Sequence, residues 1–171
     1  NRLADHLNWS VLDTDTLRKD LRQVDHDDHD VDAHPDLYSA ATTEETYRML
    51  LEHAELLLIG GESVVLDATW SDAGHREAAR AMAARHGAGV EELECRLDSG
   101  IARRRIADRN LLGGDASDAT PDLVDRMPRH PWPEARPIDT SRTPDAVVDQ
   151  IVDGLFGAGG VPTTFDTVSR A

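Results

Sequence analysis

Glu62-Ser63-Val64-Val65-Leu66-Asp67-Ala68-Thr69-Trp70 is the stretch on which the fold turns. An apolar, β-branched run that closes on a carboxylate reads as a strand with its acid at the carboxyl edge of a sheet. The earlier run Ser10-Val11-Leu12-Asp13-Thr14-Asp15-Thr16-Leu17-Arg18 has the same form: a short strand, then acids, then a helix with a basic residue in its first turn. Two such strand ends point charged groups into one crevice. An aspartate there can hold a magnesium ion, which prefers hard oxygen ligands.

Outward from these runs the chain alternates strand and helix. Asn1-Arg2-Leu3-Ala4-Asp5-His6-Leu7 has helical spacing with no capping residue before it, so the chain is expected to begin inside a helix. Strand Ser10–Leu12 leads to a helix from about Thr16 to Val24, and the acidic stretch from Asp25 to Asp36 reads as loop. Thr42-Thr43-Glu44-Glu45 opens the next helix, with Tyr47, Leu50, Leu51, Ala54, Leu57 and Leu58 as its apolar stripe, and Gly60-Gly61 stops it. After Asp67, Ser71 or Asp72 caps a helix that ends at Gly87, and strand Val90–Leu97 follows. Ser99 is expected to cap a helix running to about Arg109. A polar loop, Asn110 to Thr120, and a short helix opened by Pro121 come next. Pro137-Ile138-Asp139-Thr140 reads as the last strand, and Thr143-Pro144 opens the last helix. From Phe156 onward, Gly157, Gly159, Gly160 and Pro162 suggest a loose tail, residues 156–171. This order predicts an α/β domain with one parallel sheet covered on both faces, and it gathers Asp13, Asp15, Asp67, Thr69, Asp139 and Thr140 at one edge.

Composition narrows the function classes. In 171 residues, 33 acids against 18 bases leave a net charge of −15, and the only lysine is Lys19. That is the opposite of the basic footprint of a general nucleic-acid binder. A GC-rich coding bias and adaptation to high salt both fit the aspartate and arginine excess. The lone Cys95 falls in a strand, so no intramolecular disulfide can form; a buried spectator thiol in a reducing compartment is expected. The apolar runs fall short of the ~18 residues needed to span a bilayer, which favours a cytoplasmic protein without membrane contact. His26-Asp27-Asp28-His29-Asp30, with Asp32 and His34, mixes metal-ligand types but lacks a rigid spacing, and reads as a solvated acidic loop.

Three segments carry a family resemblance: Leu12 through Lys19; Val64 through Trp70 continuing to His75-Arg76-Glu77-Ala78; and Asp115-Ala116-Ser117-Asp118-Ala119-Thr120. Together they resemble the small P-loop kinases of the zeta-toxin, polynucleotide-kinase and gluconate-kinase type. They are most similar to the kinase-like ATPase domain that bacteria fuse behind an aminoglycoside-phosphotransferase-like domain. The resemblance covers about residues 1–155 and implies a three-layer α/β/α P-loop NTPase that binds ATP and Mg²⁺. The family's phosphate loop, G-x-x-x-x-G-K-[S/T], occurs nowhere in the 171 residues. On this reading the first strand and the phosphate loop belong ahead of Asn1.

Carried over residue by residue, the resemblance implies Asp67 at the magnesium ion, and Thr69 at acceptor or water. Asp15 becomes the base that takes a proton from the acceptor hydroxyl. Arg18 would hold the acceptor, with Arg76 as a further acceptor-side candidate. Arg105 and Arg109, four apart on one helix face, would close over the transferring phosphate; Arg103 and Arg104 are alternatives in register. Asp115, Ser117 and Asp118 match the lid loop and read mainly as caps. Arg142, in the turn after the last strand, would lie near the adenine. The implied activity is phosphoryl transfer to a hydroxyl of a small acceptor. An inactive nucleotide-binding or partner-binding module is the alternative, and a polynucleotide 5′-kinase is disfavoured by the charge.

Overall fold

The computed structural model describes residues 1–26, 34, 36–112, 119–120, 124 and 130–157, with the side chains of 109–112 left aside. Helix α1 (Arg2–Leu7) is followed by β1 (Ser10–Asp13), α2 (Thr14–Arg22), α3 (Ala40–Ile59) and β2 (Val64–Asp67). Then come α4 (Ala73–Arg85), β3 (Leu93–Arg96), α5 (Ser99–Leu112), β4 (Arg136–Asp139) and α6 (Pro144–Phe156). The predicted alternation is therefore the observed one. The short helix placed at Pro121, the lid motif at 115–118 and residues 158–171 of the tail lie outside the described residues.

Among the described residues all strand pairing is parallel, in two pairs rather than the single sheet expected. β1 lies beside β2 with Asp13 opposite Asp67, and β3 lies beside β4 with Arg96 opposite Asp139. Each pair keeps an unpaired edge, so Val64, Val65 and Leu66 are only half-buried, unlike the strands of a sheet closed on both sides. The same opening overturns the expectation for Cys95, which is exposed on β3.

Several element starts differ from the sequence reading because a nearer polar side chain reaches the first free amides. The Asn1 side chain accepts from the amides of Leu3 and Ala4 in the first turn of α1. Asp13 caps α2 through a 2.7 Å bond from the Thr16 amide. Ser39 rather than Thr42 or Thr43 caps α3, and Asp98 rather than Ser99 receives the Gly100 and Ile101 amides. The β3 ladder starts at Leu93, three residues later than expected.

Of three sets of buried side chains, one gathers Leu7, Val148 and Val152 with Trp9 and Phe156 between α1 and α6. Leu17, Tyr47, Leu50 and Trp70 pack with Leu12, Leu66 and Trp132 between α2, α3 and the β1–β2 pair. Ile138, Val147 and Ile151 pack with Leu3 and Leu93 beneath α6 and the β3–β4 pair. Burying each large aliphatic side chain contributes about 1.5–3 kcal/mol. Polar ties join the two halves. Arg80 grips both Glu92 carboxylate oxygens, at 2.8 and 3.0 Å, and the Trp132 indole donates to the same carboxylate at 2.7 Å. Arg76 donates to the Pro131 carbonyl at 3.2 Å.

Candidate functional site

The parallel register brings Asp13 and Asp67 side by side at the carboxyl end of the β1–β2 pair. Asp13 is engaged in capping α2, whereas Asp67 accepts from the Asn1 side-chain amide at 3.0 Å. Asp67 is exposed as a residue, yet partial desolvation raises its carboxyl above the ordinary 3.8. The Asn1 bond opposes that rise, and the charges of Asp13 and Asp15 add to it. An acid crowded by other acids is electrostatically incomplete, and a cation placed there would relieve it.

Asp15 follows in the first turn of α2 and pairs with the Arg18 guanidinium at 2.9 Å. Arg18 is buried, lies over the Tyr38 ring at 4.7 Å, and leaves its Nε without a hydrogen-bond partner. Asp67, Asp15 and Arg18 are thus brought to one end of the first strand pair.

The residues after Asp67 are held from α3 and α4. Thr69 Oγ1 lies 3.3 Å from the Tyr47 hydroxyl, which also accepts from the Trp70 amide at 3.0 Å. Arg76 is buried, donates to the Trp70 carbonyl at 2.6 Å and the Ser71 carbonyl at 3.3 Å, and stacks on Trp132.

Arg105 sits by the second strand pair. Its guanidinium donates to the carbonyls of Thr140, Ser141 and Arg142 at 2.7, 3.3 and 3.3 Å, so it brackets the turn carrying the exposed Arg142. The Arg109 side chain lies outside the described residues. The Cys95 thiol on β3 is pushed up by partial desolvation and then by the Asp67 and Glu94 charges, although the residue as a whole is exposed. Of the acidic loop, His26 bonds Asp20 at 2.7 Å, and 27–33 lie outside the described residues. Among the described residues, no group of three or more His, Cys, Asp or Glu is placed to hold a metal.

Sequence reasoning missed two members of this site. Asn1 was legible as a cap, since an Asn stands directly before the periodic residues. Tyr47 was read as one residue of an apolar stripe, and nothing local shows that its hydroxyl reaches a turn more than twenty positions on.

Residues 1–130 match the family model AAA_33, an AAA domain. The chain belongs to this family. The AAA domain assignment agrees with the α/β order and parallel pairing, and makes the fold a P-loop NTPase-like one. The tunicamycin resistance protein of Deinococcus radiodurans shares the fold at a TM-score of 0.54 and 14% identity, over 91% of this chain and 90% of that one. The uncharacterized proteins Rv2004c of Mycobacterium tuberculosis and Mb2027c of Mycobacterium bovis are each 31% identical over 153 residues, or 86% of this chain. The match spans only 30% of their length. No helix among the described residues is long and apolar enough to cross a membrane.

Proposed function

We propose that this AAA domain belongs to a cytoplasmic protein in which it acts as an ATP-dependent kinase domain that transfers a phosphoryl group to a hydroxyl of a small acceptor. The observation that carries it is Asp67: a strand-end carboxylate in register with Asp13, raised by packing and by neighbouring acids. Its donor chemistry fits Mg²⁺, which is held by one or two carboxylates plus substrate phosphates rather than by a protein cage. Bound there, the ion would neutralise charge on the transferring phosphate. Asp15 is then the base for the acceptor hydroxyl, and Arg18 and Thr69 face the acceptor. Arg105 and Arg109 serve the phosphate, and Arg142 flanks the nucleotide. The phosphate loop and its strand would be supplied ahead of Asn1, and the open edges beside Asp67 and Cys95 leave room for that strand. The greater length of the mycobacterial relatives is in keeping with a fused aminoglycoside-phosphotransferase-like domain.

A second reading, a binding module without transfer activity, draws on the engagement of Arg105 with backbone carbonyls and of Arg18 with Asp15. The two readings separate in one experiment. ATP turnover is measured with protein that includes the segment ahead of Asn1, with and without Mg²⁺, against sugars, nucleosides and aminoglycosides. Loss of turnover in Asp67→Asn and Asp15→Asn supports the kinase. Wild-type rates in both variants overturn these roles.

A further inference from the structure

Trp70 has φ +50°, a left-handed conformation that bulky residues rarely adopt. The other non-glycine residues with positive φ, Asn8 and Gln23, terminate helices, where that conformation is ordinary. Trp70 terminates nothing; it stands three residues after Asp67. Strain of this kind persists only where surrounding groups over-determine it. Here both backbone polar groups of the residue are held by side chains from other elements. Its amide donates to the Tyr47 hydroxyl on α3, and its carbonyl accepts from Arg76 on α4.

Each clamp is itself braced. The Tyr47 ring stacks on His75 with centroids 3.9 Å apart and meets the Trp70 ring edge-on at 5.2 Å, while His75 bonds Glu44 at 3.0 Å. Arg76 is fixed by Trp132 and the Pro131 carbonyl. The Tyr47 hydroxyl also reaches Thr69 Oγ1, so one oxygen serves two consecutive residues of the turn. A phenol at this place is not needed for packing, because phenylalanine would fill the same volume. The hydroxyl is the informative atom.

We propose that Tyr47 and Arg76 are positioning residues that hold the Asp67–Trp70 turn in a strained form, aiming the Asp67 carboxylate and the Thr69 hydroxyl. This rests on the phosphotransfer reading for its catalytic consequence, but the clamp stands independently of it. It also replaces direct acceptor contact by Arg76, whose guanidinium is turned to backbone carbonyls.

The test uses Tyr47→Phe, which keeps the ring, and Arg76→Gln, in protein extended ahead of Asn1. Amide hydrogen exchange at Trp70 is followed by NMR, with the Leu50 amide as a reference for global opening. The clamp requires Trp70 exchange to rise about tenfold in Tyr47→Phe while Leu50 changes far less. Unchanged Trp70 protection overturns it, whatever the enzyme does, and Tyr47→Phe decides the matter if Arg76→Gln fails to fold. In turnover, misaiming lowers kcat by about tenfold with KM for ATP within about twofold. A released Trp70 amide with unaltered kcat overturns the positioning role. Absence of turnover in the wild-type protein overturns the phosphotransfer reading instead, and exchange at Trp70 still decides the clamp.

Discussion

The two strand pairs have the same backbone plan and opposite electrostatics. Each is a parallel pair of four-residue strands, and each ends with an aspartate. In the β3–β4 pair that aspartate is satisfied: the Ser141 amide and hydroxyl, aided by Arg142, hold Asp139 below the ordinary 3.8. In the β1–β2 pair Asp13 caps α2, and Asp67 is raised by burial and by the Asp13 and Asp15 charges against the opposing Asn1 bond. A fold that needed only stability would treat both ends alike. The difference is what the proposed metal role of Asp67 draws on.

The largest effects should leave this contrast intact, because both halves need their cores. Leu50 is fully buried and Ile138 is 1% exposed. Leu50→Ala and Ile138→Ala should each cost about 2–5 kcal/mol in urea unfolding. A large inequality would show that one half carries the stability alone. The next effect should divide the halves. Asp67→Asn is expected to lower Mg²⁺-dependent turnover on the order of 100-fold, and Asp139→Asn less than about threefold. Equal losses would erase the distinction.

The smallest effects concern pH, and their signs are opposite. Asp67 keeps its proton in the folded state above the unfolded value of 3.8, so its contribution to stability falls as pH rises through its raised folded value. Asp67→Asn should therefore raise Tm at neutral pH, in the usual trade of stability against function. Asp139 is lowered, so its contribution is present above 3.8 and is lost as pH falls through its lower folded value. Asp139→Asn should leave Tm unchanged or slightly reduced at neutral pH, and should flatten its fall in acid. Thermal melts of both variants from pH 3 to 8 check the signs; shifts in the same direction would break the comparison.

Much of the fold was legible because its signals are local. Periodicity places α3 and α6, Gly60-Gly61 ends α3, and the run Val64 to Asp67 reads as a strand with its acid at the edge. Element starts were less legible, because several polar residues compete for the same free amides and distance alone chooses among them. That is why Ser39 and Asp98, rather than the Thr42–Thr43 pair and Ser99, hold the caps of α3 and α5.

The site divides along the same line. Asp67, Asp15 and Arg18 could be gathered from sequence, because strand direction and helix spacing put them at one edge. The direction in which each arginine points could not, since a guanidinium has several donors and takes whichever carbonyls tertiary packing offers. Arg76 and Arg105 both turn to backbone. By itself the sequence determined the order of elements and which charges share the sheet edge, through periodicities set by backbone geometry. Only the tertiary structure decided which acid is raised and that Tyr47 grips the turn after it, because contacts across twenty or more residues depend on packing that no local pattern encodes.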